Sequence, residues 1–272
     1  MSELILSVVV PSYNSEVFIE ECLRSIEREA QAGVEFILVD GGSSDGTMEI
    51  ANQYSHLFSH VISEQDKGQS DAFNKGFRLA KGKFLTWLNS DDVLCPRVMT
   101  PVLEKLSVSQ QDWVTANSVY LNEKGEVTRC CQSGGFEHFA VKRGLLNVFG
   151  PSTFFSKKLF EELGGFRLDF NYCMDTEYWW RIVDAGYRYE RMPVYFWGLR
   201  LHANAKTANV LLEGETPLRM TEEHRIIAEK YYPGVTRKSR RRCVLWVLIW
   251  RFLNLSYIRS YWDTYSMKGT SY

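Results

Sequence analysis

Apolar runs and polar breaks alternate along the first hundred residues. "LILSVVV" (4–10) is continuous and β-branched, the pattern of a parallel strand covered on both faces. After "PSYNSE", the segment "VFIEECLRSIEREA" sets Phe18, Cys22, Ile26 and Ala30 on one stripe at helical spacing. "VEFILVD" (34–40) predicts a second strand that ends at Asp40. "GGSSDGT" follows as a turn, with Ser44 or Asp45 expected to cap the helix of "TMEIANQY". "HVISE" (60–64) predicts a short third strand. "KGQSDAFNKGFRLAKG" predicts a helix with Phe73, Phe77 and Ala80 on one face and Gly82 as its stop. "KFLTWLN" is the fourth strand.

This βαβαβαβ order predicts an α/β fold with a doubly wound, mostly parallel sheet. Ligands of such sheets bind outside the carboxyl ends of the strands, where "PSYN", "VDGGSSDGT" and "NSDD" all fall. The second half is less regular. "DWVTANSVYL" and "EVTRCC", split by "NEKG", predict a hairpin. "STFFSKKLFEELGGF" predicts a strand, a short helix and a Gly-Gly stop. "MDTEYWWRIVDAG" is helical, "YRYERMPVYFWGLRLH" extended, and helix is expected from about residue 219 onward. A catalytic unit over 1–215 and a helical extension over 216–272 follow, with no internal repeat.

Composition narrows this little. The 272 residues are 45% hydrophobic, enough for a sizeable core, and the formal net charge of −1 gives no global attraction to nucleic acid. Six cysteines form no CxxC pair and no zinc-finger spacing, so free thiols in a reducing compartment are expected. The N-terminal apolar run is too short for a signal peptide, and no run reaches the roughly 18–20 apolar residues of a spanning helix. The expected location is the cytoplasm.

The strand-end carboxylates carry the chemistry. In "FLTWLNSDDVL" (84–94), Asp91 and Asp92 sit side by side at the mouth of a buried strand. Like charges that close repel, and burying one without a partner costs several kcal/mol. A hard divalent cation would supply the missing positive charge; a plain turn with a helix cap is the other reading. Asp40 suits either a hydrogen bond to a base or ribose, or its own Asx-turn. GxxxxGK[ST] and GxGxxG are both absent, which counts against a dinucleotide oxidoreductase.

Together "VVVPSYN", "ILVDGGSSDGT", "DKGQSDAFNKGF", "WLNSDD", "MDTEYWWR" and "RLH" resemble family 2 glycosyltransferases, in order and spacing, over roughly residues 5–205. The resemblance implies a GT-A fold, a nucleotide-sugar donor with UDP the commonest nucleotide, a divalent metal (Mn²⁺ or Mg²⁺) and inversion at the anomeric carbon. It implies that Pro11, Tyr13 and Asn14 line the nucleotide pocket and that Asp40 contacts the base. Lys67, Gly68 and Asp71 fall where the family approaches the diphosphate. Asn89, Ser90 and Asp91 occupy its DxD position, with Asn89 toward the ribose, Ser90 in the donor site, and metal on Asp91 supported by Asp92. His202 matches a family histidine near metal and diphosphate. Where the family commonly has Glu-Asp, this chain has Met174-Asp175, and Asp175 takes the place of the catalytic base.

Helix geometry bears on that last residue independently. Asp175, Trp179 and Ile182 share an inward face, whereas Glu177 lies about 200° from Asp175 with Arg181 four residues on, as a supporting or surface pair. The implied function is transfer of one sugar to a hydroxyl of a saccharide or lipid-linked acceptor in surface-polysaccharide synthesis. The alternatives are a sugar nucleotidyltransferase and a non-catalytic saccharide-binding scaffold on the same fold. A processive synthase is disfavoured, since QxxRW and a spanning bundle are missing.

The tail, "RKSRRRCVLWVLIWRFLNLSYIRSYW" (237–262), stands apart. Five basic residues precede an apolar run, and Trp246, Trp250, Tyr257, Tyr261 and Trp262 are types that favour a membrane–water interface. One reading lays the tail on the anionic inner face of the cytoplasmic membrane. The other packs it on the catalytic domain or a second subunit. Oligomeric state is left open.

Overall fold

The computed structural model describes residues 3–271 apart from 136, 207–215 and 254–255, and leaves the side chains of 250–257 undescribed. Its strands are β1 (Leu6–Ser12), β2 (Val34–Asp40), β3 (Phe58–Ser63), β4 (Phe84–Trp87), β5 (Val93–Leu94), β6 (Trp113–Leu121), β7 (Val127–Cys131), β8 (Thr153–Ser156) and β9 (Glu190–Arg200). They form one sheet in the order β3-β2-β1-β4-β8-β6-β9-β5, with β7 paired to β6. β1 to β4 are mutually parallel, as the alternation predicts. β8 then runs antiparallel to both β4 and β6, and the "NEKG" hairpin joins β6 to β7. The two-faced apolar run of β1 is explained by its neighbours. Leu6, Val8 and Val10 enter one core layer and Val9 the other.

The main helices are α1 (Ile19–Glu29), α2 (Thr47–Gln53), α3 (Gln69–Leu79), α4 (Met99–Val108), α5 (His138–Val141), α6 (Lys157–Leu163), α7 (Met174–Asp184), α8 (Leu218–Tyr231), α9 (Arg237–Leu253) and α10 (Ser256–Met267). α1 buries Ile19, Cys22, Leu23 and Ile26, while Ala30 is exposed past its end, so the stripe turns slightly from the expected one. Glu29 is buried instead because it accepts N–H bonds from Arg97, Val98 and Met99 at the start of α4. The cap of α2 is Gly46; Asp45 accepts the Thr47 N–H at 3.0 Å without being the cap itself.

Under the end of β4, Trp87 stacks on Trp179 of α7 at 6.1 Å, and Trp113 stacks on the other side of Trp179 at 5.7 Å. This column ties α7 to the sheet. α8 docks on α7, with Ile227 in the same core layer and the Tyr231 hydroxyl donating to Glu177 at 2.7 Å. α10 lies on β7, and Gly269 and Thr270 extend that strand's backbone bonding. All six cysteines are buried, and none is in a disulfide.

Candidate active site

Register sets the edge. Ser12 pairs with Asp40 and Val9 with Trp87, so β1 and β2 end level and β4 stops slightly short. The loops after β1 and β2 are latched together. Asn14 N donates to Ser43 Oγ at 2.8 Å, and Ser44 N donates to Asn14 Oδ1 at 2.9 Å. Asn14 takes a left-handed φ of 46°, which Asn tolerates better than most residues. Pro11 is buried inside β1, whereas Tyr13 is 65% exposed and stands over the edge.

Asp40 serves the loop. Its carboxylate accepts from the Ser12, Ser43 and Ser63 hydroxyls and from the Gly42 and Ser43 N–H groups. Burial pushes its pKa up, but the Ser43, Ser63 and Ser12 bonds outweigh it and hold the group below the ordinary aspartate range. A carboxylate has about four lone-pair sites. These donors fill its lone-pair sites in this arrangement, and the Gly42 and Ser43 N–H bonds give it the Asx-turn role.

The two carboxylates after β4 diverge. Asp92 is 1% exposed, and its oxygens accept from Asn89 Nδ2 at 2.9 Å and from Arg200 N at 2.9 Å. Burial, then the charge of Asp91, drives its pKa well above the usual value. Both of its oxygens are thus engaged within the protein in this arrangement. Asp91 points outward with its side chain 34% exposed, and its Oδ2 lies 3.2 Å from His202 Nε2. The His202 ring rests on Phe18 at 4.5 Å. Ser90 is buried and hydrogen-bonded to Ser15 at 2.7 Å, so its expected donor contact is not open in this arrangement. Asn89 also accepts from Gln69 at 3.0 Å.

The Arg200 guanidinium reaches this loop without pairing with either aspartate carboxylate. Arg200, 1% exposed, donates Nε to Asp91 O at 3.1 Å and forms an ion pair with Glu21. Sequence reasoning passed over it. The one signal was an arginine closing an apolar strand two residues before His202. A cation still fits the outward pair, since a carboxylate and an imidazole converge there. Among the described residues no cluster of three or more ligating side chains forms, so donor phosphate oxygens and water would complete the shell.

Beyond Asn89 the edge turns basic. Gly68, with φ of 102°, heads α3, and Asp71 accepts the Lys67 N–H at 3.2 Å and approaches Lys75. Asp71 is thus tied to its own helix start rather than to the opening. Next to it lies a cavity of about 170 Å³ lined by Lys67, Gly68, Gln69, Asn171, Lys206 and Arg219 among others, with three cations and no carboxylate among its described lining residues. Lys206 reaches Gln69 Oε1 at 3.5 Å, which links this cavity to Asn89.

Met174 also lines that cavity, and Asp175 follows it in the first turn of α7. Thr176 N and Oγ1 both donate to Asp175 Oδ1, at 2.6 and 3.2 Å. Oδ2 is left facing Gly150, where a β-carbon would come within 3.3 Å of it. Burial raises the Asp175 pKa above the ordinary value, against the Thr176 bonds and the charge of Lys206. Trp179 and Ile182 are buried on the same face, as the helical phase predicts. Glu177 does pair with Arg181 at 2.8 Å, but it is 1% exposed, an interior pair and not a surface one. Glu223 of α8 accepts the N–H groups of Asn171, Tyr172 and Cys173 and so sets the entry into α7. Neither Glu223 nor Gly150 carried a motif in the sequence.

A family model described as "Glycosyl transferase family 2" matches residues 7–164. Uncharacterized glycosyltransferase EpsJ of Bacillus subtilis (strain 168) is 34% identical over 40% of this chain and 33% of its own. A PGL/p-HBAD biosynthesis glycosyltransferase of Mycobacterium tuberculosis is 28% identical over 65% of this chain and 69% of that protein. The chain therefore spans only about a third of the first of these relatives. Among solved structures, S. aureus TarS 1-349 in complex with UDP-GlcNAc matches with TM-score 0.65 at 17% identity, over 91% of this chain and 72% of that one. Mannosyltransferase PcManGT from Pyrobaculum calidifontis, in complex with GDP-Man and Mn2+, matches with TM-score 0.56 at 17% identity, over 92% and 76%. These structural likenesses show the fold.

Proposed function

The chain belongs to glycosyl transferase family 2, and we propose that it moves one sugar, with inversion, from a UDP-sugar to a hydroxyl of a saccharide or lipid-linked acceptor. The observation that carries this reading is one strand edge holding three parts in a row. These are the outward Asp91–His202 pair, the basic cavity at the head of α3, and Asp175 with a free Oδ2. Gln69 and Lys206 bridge the first to the last. The UDP in a solved complex of the same fold supports the choice of donor nucleotide. Surface-polysaccharide assembly in the cytoplasm is the setting we infer, with residues 1–215 as the catalytic unit and 216–272 as its extension.

In this mechanism Tyr13 and Asn14 flank the nucleotide, while Lys67, Lys206 and Arg219 attract the anionic groups entering the cavity. Asp175 Oδ2 takes the proton of the acceptor hydroxyl as that oxygen attacks the anomeric carbon opposite the departing diphosphate. General-base assistance of this kind contributes about 10²–10⁴-fold. The raised pKa suits the task, because a stronger base accepts the proton more readily. A divalent cation, Mn²⁺ or Mg²⁺, held by Asp91 and His202 would neutralise charge gathering on the diphosphate. The deciding experiment is a donor screen that reads released nucleotide from each sugar nucleotide with either metal. Release from none, with or without saccharide acceptors, would refute the transferase reading.

A further inference from the structure

The two tail helices divide their residues in an unusual way. α10 turns Ser260, Asp263 and Thr264 inward. Ser260 Oγ donates to Cys130 O at 2.8 Å, Cys130 N donates to Thr264 Oγ1 at 2.9 Å, and Asp263 accepts from Gln132 and Tyr195. Its described aromatic side chains go outward instead, with Tyr261 71%, Trp262 63% and Tyr265 71% exposed. α9 anchors through Cys243, which is 1% exposed. At about 100° per residue, Lys238 and Arg241 fall opposite Cys243 in the first turns, with Arg242 at the side. Leu245, Leu248 and Ile249 fall opposite it in the next. Leu245 and the flanking Trp246 are 57% and 64% exposed. Side chains 250–257, which include Trp250 and Tyr257 of the expected interface set, lie outside the described residues.

We propose that the outward faces of α9 and α10 dock on an anionic lipid bilayer. Packing on the protein takes one face of each helix and leaves the other uncovered, so the two readings of the tail apply to opposite faces. Charge selects the occupant. Residues 237–267 hold seven basic side chains and a single carboxylate, Asp263, which is committed inward. A second copy meeting the same face would bring like charge against like, whereas anionic headgroups complement it. Aromatic side chains beside a basic stretch suit the headgroup level. No helix among the described residues is long and apolar enough to cross a membrane, so the helices lie on the surface. An acceptor carried on lipid would then meet the transferase at that surface.

Vesicle flotation tests this without measuring turnover, so it fails or succeeds separately from the transferase reading. The full chain should float with phosphatidylcholine vesicles containing phosphatidylglycerol, and high salt should release it. Arg241→Gln with Arg242→Gln should weaken binding by roughly fivefold per charge removed. Trp246→Ser with Trp262→Ser should weaken it at least about tenfold, because both indoles leave the interface. Unchanged melting temperatures would show that these exposed substitutions leave the fold intact. Absence of flotation at low salt, or equal binding to pure phosphatidylcholine, would overturn the proposal. So would dimerisation by sedimentation velocity that the tryptophan pair abolishes while vesicles are ignored.

Discussion

His202 Nε2 lies 3.2 Å from the Asp91 carboxylate, though 111 residues separate them in the chain. Two strand ends make the contact. Asp91 leaves β4 and His202 follows β9, while Arg200 N holds Asp92 beside them. Chelation should therefore abolish sugar transfer and Mn²⁺ or Mg²⁺ should restore it. Asp91→Asn should lose most activity with little change in melting temperature, because this side chain is partly exposed. Asp92→Asn should instead lower stability, through its bonds to Arg200 and Asn89. Undiminished turnover in EDTA would remove the metal from the scheme.

The carboxylates of α7 separate by function. Asp175→Asn should cut kcat at least about 10²-fold with donor affinity nearly kept. Since the ionised form is required and burial raises its pKa, activity should fall as pH drops through a value above the ordinary ~3.9 of aspartate. Glu177→Gln should act on stability. It leaves the Arg181 guanidinium partly buried beside a neutral amide, at a cost of about 1–3 kcal/mol. A variant Glu177→Gln that folds normally yet loses turnover as Asp175→Asn does would reverse these assignments.

The parallel half of the sheet was legible because its strands are rich in apolar and β-branched residues and end in polar ones. Asp175 was legible for a similar reason: helical phase places it with Trp179 and Ile182. What could not be read is where a side chain's partners come from. Asp40 and Asp92 look like ligand carboxylates in one dimension, but donors from their own loops and from β1, β3 and β9 converge on them. Arg200, over a hundred residues away in β9, gives its Nε–H to the Asp91 carbonyl and its backbone N–H to the Asp92 carboxylate. Gly150 matters for the atoms it lacks. Sequence patterns encode which face an element buries, not which distant donors fill a carboxylate.

Glu223 offers a test of that kind of distant support. Three backbone N–H groups ahead of α7 converge on it, and with Arg219 they outweigh burial and depress its pKa. A depressed folded pKa gives stability that is present above the unfolded value, about 4.3, and is lost as pH falls through the folded one. Glu223→Gln should therefore cost about 1–3 kcal/mol at neutral pH, read from urea midpoints. The gap to the parent protein should narrow below about pH 4. A gap that stays constant down to acid pH would show that the carboxylate charge is not what holds this turn.

Gly150 leads to the last prediction. A methyl group at this position would sit 3.3 Å from Asp175 Oδ2 and 3.1 Å from the Trp87 ring. Its backbone φ is not in the left-handed region, so alanine is conformationally allowed and the strain falls on those two neighbours. Trp87 is held by Trp179 and cannot yield easily, which leaves the carboxylate to move. Displacing a reacting group by a fraction of an ångström is costly, because a misplacement of about 1 Å can lose about 10²-fold. Gly150→Ala should accordingly lower kcat by about tenfold with donor KM little changed, since the nucleotide loops lie on other strands. Overpacking should cost no more than about 1–3 kcal/mol, so circular dichroism should still report a folded protein. Turnover equal to the parent's would mean that Oδ2 does not need the space in front of Gly150, and the proton would have to leave by another path.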